Sequence, residues 1–173
     1  MKLLSFSIDG ENSFGIVSNS GVIDAGRRLE GEFDSIRDVL ACGALNLLRG
    51  MVTIEPDHAL EDVTFRPVIP DAAAKFLCVG RNYMPHIREM GNERPEFPVV
   101  FVRFADSIVG HRQPMRRPSA SEQYDFEGEL AVVIGRTARH ISRAEALEYV
   151  AGYSCFNDGS LRDFQMRTQQ WTP

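Results

Sequence analysis

Cysteine is scarce in this 173-residue chain, and the three thiols, Cys42, Cys78 and Cys155, are odd in number, widely separated and without a C-x-x-C pair. That excludes a disulfide framework and a zinc site of the usual spacing, and leaves three thiols expected to pack as small buried hydrophobes. Basic charge is short as well. Nineteen Lys and Arg face 24 Asp and Glu, for a net charge of -5. The basic residues form no cluster, which argues against a surface built to neutralise nucleic-acid phosphates. No stretch approaches the roughly 18 apolar residues of a membrane span. The first residues alternate polar and apolar instead of forming the apolar run of a signal peptide. The expectation is a cytoplasmic protein with a small-molecule substrate and neither a nucleic-acid nor a membrane partner. Internal repeats and low-complexity segments are also lacking. What remains, 43% hydrophobic and 25% charged residues, is the composition of a globular protein.

Leu4, Phe6 and Ile8 alternate with serines, the segment Asp9-Gly10-Glu11-Asn12 turns the chain, and Phe14 to Val17 and Val22-Ile23 repeat the pattern. This predicts a small antiparallel meander. Ile36, Val39 and Leu40 then recur at helical spacing behind Asp34 and Ser35, with Gly43 as a stop. Pro67 and Pro70 exclude helix around them, so a linker and a domain boundary are expected near residue 70. Beyond it, residues 75–80 and 99–104 read as buried strands, residues 125–134 as a third and residues 153–156 as a fourth. Ser142 and Glu145 form a capping box at the start of a helix, and Ser160 is expected to cap a final helix through Gln165 and Arg167.

On a strand, Glu127 and Glu129 share one face, and Phe126, Leu130, Val132 and Ile134 the other. Such a pair is either a solvated edge or, if buried, in need of a cation or a shared proton, because the two carboxylates repel. Asp158, at a strand-to-helix turn, is placed to supply a third oxygen ligand. Three carboxylates without His or Cys make a hard site that suits Mg²⁺, Mn²⁺ or Ca²⁺ and disfavours zinc or copper. His86 and Glu89 lie three apart in a polar segment ended by Gly91. On a helix they would form either a base oriented by a carboxylate or an ordinary surface pair. Arg162 and Gln165 are likewise three apart; an Arg fork suits a substrate carboxylate, and the alternative is a solvent-facing helix. His58, His111 and His140 lack ligand spacing and are expected at the surface.

Several separated motifs agree with one known pattern: the run Val79-Gly80-Arg81-Asn82-Tyr83-Met84-Pro85-His86-Ile87-Arg88-Glu89, residues 98–104, the run Asp125-Phe126-Glu127-Gly128-Glu129-Leu130, and Asn157-Asp158 with Arg162-Asp163-Phe164-Gln165. In order and spacing they resemble the fumarylacetoacetate hydrolase family, over essentially everything after residue 75. The resemblance implies that Glu127, Glu129 and Asp158 hold Mg²⁺ (or Mn²⁺ or Ca²⁺). It also implies that His86 and Glu89 are an acid/base pair on a mobile lid, and that Arg81, Tyr83, Arg162 and Gln165 bind substrate. The implied fold is mainly β within the α+β class: a catalytic domain of mixed, rolled sheets, preceded over residues 1–70 by the small N-terminal domain of bacterial members. The implied assembly is a homodimer. The implied activity is metal-dependent hydrolysis of a carbon-carbon bond in acylpyruvates, of the fumarylacetoacetate or fumarylpyruvate type. Isomerisation of 2-hydroxyhepta-2,4-diene-1,7-dioate or decarboxylation of oxaloacetate-like acids is the alternative, and an inactive metal-binding remnant a third. Members of that family continue past the Trp171 region to a Gly-Lys pair that contacts substrate, so residues 71–173 are expected to be the front part of a longer catalytic domain.

Overall fold

Asp9 and Gly10 set the first turn of the chain. In the computed structural model, which describes residues 1–171, both have positive φ, 51° and 85°. A two-residue type I′ hairpin demands this backbone, and Asp-Gly tolerates it. The turn joins β1 (Lys2–Ile8) to β2 (Glu11–Val17), with Leu4 opposite Gly15 and Phe6 opposite Ser13. β3 (Val22–Asp24) follows, then α1 (Ala25–Arg28), capped by the Asp24 carboxylate. Ser35 caps α2 (Ile36–Ala41) as the sequence predicts, and Gly43, at φ 67°, ends it ahead of α3 (Leu45–Met51). β4 (Thr64–Phe65) completes an antiparallel sheet of order β3-β2-β1-β4.

Two clusters stabilise this sheet. Phe14, Ile16 and Ile23 pack with Phe33, Ile36, Val39 and Leu48 from the helices and the loop before them. Leu4, Phe6 and Val22 pack with Val63. Each fully buried aliphatic or aromatic side chain contributes about 1.5–3 kcal/mol. The proline-bounded linker is tied back to β1, where Arg66 N–H donates to Ser5 O at 2.9 Å and Ser5 Oγ to Val68 O at 2.8 Å.

The rest of the chain supplies β5 (Phe76–Gly80), α4 (Met84–Glu89), β6 (Val99–Arg103), β7 (Tyr124–Asp125), β8 (Gly128–Ile134), β9 (Val150–Asn157), β10 (Ser160–Leu161) and α5 (Arg162–Gln165). β5 pairs with β6, β7 with β10 and β8 with β9, all antiparallel. The fold is therefore α+β and strand-rich. The chain divides into two compact units that are not contiguous in sequence. One comprises Met1–Asp71, Val109–Met115 and Glu127–Asp158; the other comprises Ala72–Ile108, Arg116–Phe126 and the residues from Gly159 onward. No helix among the described residues is long and apolar enough to cross a membrane.

Several local expectations are corrected. The strand read over residues 125–134 is two strands, because the chain changes partner at Phe126 and Glu127, leaving β10 for β9. β5 and β6 are covered on one face only, so Leu77, Val79, Val100 and Val102 are exposed. The same holds for Leu130, Val132 and Ile134 on β8. The Ser142–Glu145 capping box forms, with Ser142 Oγ donating to Glu145 Oε2 at 2.6 Å, and holds the Glu145 carboxyl below its usual range. It leads into a 3₁₀ turn (Ala146–Tyr149) instead of an α-helix, since β9 begins at Val150. Ser160 is not the N-cap of α5: it lies in β10, opposite Asp125 of β7, and Leu161 is the N-cap residue. Cys42 and Cys155 are exposed and Cys78 half-buried, because Cys42 caps the end of α2 and Cys155 lies on the uncovered face of β9. His58 is no surface residue; its ring meets the buried Asp24 carboxylate at 3.3 Å and stands edge-on to Phe6. His111 and His140 are exposed as expected.

Candidate functional site

In the first unit the sequence-predicted metal ligands gather at one end of the β8–β9 hairpin. Glu129 pairs with Phe156 and Gly128 with Asn157, so Glu127 and Asp158 are the residues flanking the last rung. Two hydrogen bonds extend that rung: Asp158 N–H donates to Glu127 O at 2.9 Å, and Glu127 N–H to Asn157 Oδ1 at 3.0 Å. Asp158 is buried, Glu127 and Glu129 half-buried. The backbone thus brings three carboxylates to one hairpin end. Their oxygens do not converge: among the described residues, no three His, Cys, Asp or Glu side chains are grouped to hold a metal ion. The donor chemistry and backbone placement fit a hard divalent cation, whose charge would offset the mutual repulsion of carboxylates drawn around it.

In the second unit, α4 carries His86 and Glu89. Pro85 sits in its first turn, Ile87 is buried beneath it, and Gly91, at φ 65°, ends it. His86 Nδ1 and Glu89 Oε2 are 3.7 Å apart on the exposed side, an ion-pair distance too long for a hydrogen bond. Arg81, with φ 52°, sits over the ring of Trp171 at 5.6 Å, and Tyr83 is the N-cap residue of α4. Trp171 also stands edge-on to Phe101, and a Cβ on Gly80 would lie 2.4 Å from its ring, so only glycine admits the indole there.

Arg162 and Gln165 come together through α5. Arg162 Nη1 donates to Gln165 Oε1 at 3.0 Å, while its Nε and Nη2 both donate to Asp125 Oδ2, at 3.0 and 2.8 Å. The Arg162 guanidinium, followed by the N–H of Phe126, holds the Asp125 carboxyl below the usual range. Sequence reasoning missed Asp125 as a partner of Arg162. The pairing of β7 with β10 joins residues 37 positions apart, and no local spacing signals it.

The family model described as fumarylacetoacetate (FAA) hydrolase C-terminal matches residues 75–173. The chain belongs to the fumarylacetoacetate hydrolase family. It is 38% identical over 117 residues to the oxaloacetate tautomerase YisK of Bacillus subtilis, covering 66% of this chain and 39% of that one. A solved fumarylacetoacetate hydrolase from Exiguobacterium antarcticum is 31% identical, with a TM-score of 0.76 over 99% of this chain and 60% of its own. The 5-carboxymethyl-2-hydroxymuconate delta-isomerase from Mycobacterium smegmatis is 26% identical, with a TM-score of 0.70 over the same shares. This family member therefore spans about a third to two fifths of the length of the curated relatives it matches.

Proposed function

We propose that the protein acts in proton transfer on an enolisable 2-oxo acid, as a divalent-metal-dependent tautomerase or isomerase. The observation that carries this reading is the gathering of Glu127, Glu129 and Asp158 at one hairpin end, in a chain whose named relatives include a tautomerase and an isomerase. These names favour the isomerase alternative over carbon-carbon hydrolysis, although a hydrolase is also among the relatives. Glu127, Glu129 and Asp158 would hold Mg²⁺, or Mn²⁺ or Ca²⁺. Such an ion, when bound, supplies Lewis-acid stabilisation of an enolate oxygen. His86, kept beside Glu89, exchanges the proton at the carbon next to the oxo group. Arg162 and Gln165 grip a substrate carboxylate, and Arg81 and Tyr83 flank it. Isomerisation needs only this proton relocation. Hydrolysis would further require His86 to activate a water against a distal carbonyl.

The test is a parallel assay with Mg²⁺ against oxaloacetate, 2-hydroxyhepta-2,4-diene-1,7-dioate and an acylpyruvate. Enol-keto interconversion or diene isomerisation should outpace carbon-carbon cleavage. Acylpyruvate cleavage as the fastest reaction would overturn the reading in favour of the hydrolase. We also propose a small N-terminal domain ending near residue 70, from the prolines at 67 and 70, a cytoplasmic location, from the polar-apolar alternation of the first residues, and, from the family resemblance, a homodimer; light scattering that returns a monomer would remove the last.

A further inference from the structure

We infer that Asp125 is a positioning residue that fixes the plane of the Arg162 guanidinium for substrate. The inference rests on the reading of Arg162 as the group that grips a substrate carboxylate. An arginine is held poorly by its own chain, because its long side chain has many rotamers and loses that freedom when it binds. Here the freedom is removed beforehand. The main chain of Arg162 is tied to the strand that carries Asp125: Arg162 N–H donates to Gln123 O at 2.9 Å, directly after the rungs Ser160–Asp125 and Leu161–Tyr124. The Asp125 carboxylate is itself held. Its Oδ1 accepts the N–H of Phe126 at 2.9 Å, leaving Oδ2 to take both Nε and Nη2 of Arg162. Gln165, one helical turn on, accepts from Nη1 and so constrains the third nitrogen. Three bonds from two directions define the guanidinium plane.

The second observation is the fixing of the strand that bears Asp125. Ser121, buried, accepts the N–H of Gln123 at 3.0 Å and donates through Oγ to Asp163, the residue after Arg162. The two short strands are thus cross-tied on both sides of the Asp125–Arg162 pair. For affinity alone an anion beside Arg162 is a disadvantage, since it competes with an anionic substrate for the same cation. Preorganisation is what the arrangement provides, and cutting the ordering cost of a contact raises affinity without adding a new contact.

The experiment measures kcat and KM for oxaloacetate with Mg²⁺, and Mg²⁺ affinity by calorimetry, in Asp125→Ala, Asp125→Asn, Arg162→Ala and the double variant Asp125→Ala/Arg162→Ala. Asp125→Ala should raise KM about tenfold, the scale of one well-placed contact, while kcat and Mg²⁺ affinity stay within about threefold. Asp125→Asn keeps the shape and one oxygen and should recover part of the loss; should Asp125→Ala fail to fold, it carries the comparison alone. In the Arg162→Ala background, Asp125→Ala should add less than about twofold, because a positioning residue has nothing left to position. An unchanged KM in Asp125→Ala, or a full additive loss in the double variant, overturns the inference while leaving the Arg162 reading in place. An unchanged KM in Arg162→Ala overturns that reading and the inference with it.

Discussion

Asp57→Asn tests how the first unit is held together. Asp57 lies after the helices, yet its side chain, 4% exposed, closes the start of α1. Oδ2 accepts the N–H of Asp24 at 2.9 Å and Nε of Arg28 at 2.8 Å, and Oδ1 accepts Nη2 of Arg28 at 2.9 Å and Nη2 of Arg27. Asparagine replaces one of these oxygens with a donor that faces donors. Hydrogen bonds to charged groups contribute about 1.5–3 kcal/mol each. Arg27, 64% exposed, is discounted for solvent screening and Arg28, 32% exposed, partly so. The expected loss at neutral pH is therefore about 2 kcal/mol, or a shift of about 1 M in the urea midpoint, read by far-UV circular dichroism.

The pH dependence of that loss has a definite sign. Burial pushes the Asp57 carboxyl up, but the Arg28 hydrogen bond, the Asp24 N–H and the two guanidinium charges together hold it below its usual range. A carboxyl whose pKa is lower in the folded state stabilises fully above its unfolded value, about 3.9, and loses that contribution as pH falls through the folded value. The gap between the native protein and Asp57→Asn should be constant from pH 7 to about 5 and shrink toward pH 3. A midpoint unchanged at pH 7, or a gap that persists undiminished at pH 3, would refute the reasoning.

The remaining predictions are simpler. Gly80→Ala should expel Trp171 from its seat, because the new methyl would stand 2.4 Å from the indole ring. Fluorescence of this only tryptophan should shift to the red, and unchanged emission would contradict the packing. Phe6→Ala, at a position with no exposed surface, should cost about 3–5 kcal/mol in urea unfolding. Glu89→Gln should slow turnover by about 10²- to 10⁴-fold if it orients a general base, with Mg²⁺ affinity retained; normal turnover would reduce the His86–Glu89 pair to a surface contact.

Local chemistry was legible in the sequence and long-range pairing was not. The Asp9-Gly10 hairpin, the Ser35 cap and the Gly43 stop each depend on a few adjacent residues, and each is found where the pattern puts it. Alternation on β8 gave the shared face of Leu130, Val132 and Ile134, but alternation does not say which face is covered, and here the apolar face is exposed. The break of the 125–134 strand, the β7–β10 rungs and the His58–Asp24 contact all depend on partners distant in the chain, for which no local spacing exists. For the carboxylates, strand periodicity expects Glu127 and Glu129 on one face, yet Glu127 lies just before β8 begins at Gly128. It took the hairpin register to bring Asp158 against Glu127.

The proposed role of Glu127, Glu129 and Asp158 is to hold a divalent metal ion for proton transfer on a 2-oxo acid. Its most direct test is the rate of oxaloacetate enol-keto interconversion, measured across Mg²⁺ concentration in the native protein and in Asp158→Asn. The rate should rise with Mg²⁺ to saturation, and the variant should need at least about tenfold more metal because it has lost a charged ligand. A rate independent of Mg²⁺, or an Asp158→Asn curve superimposed on that of the native protein, would contradict it.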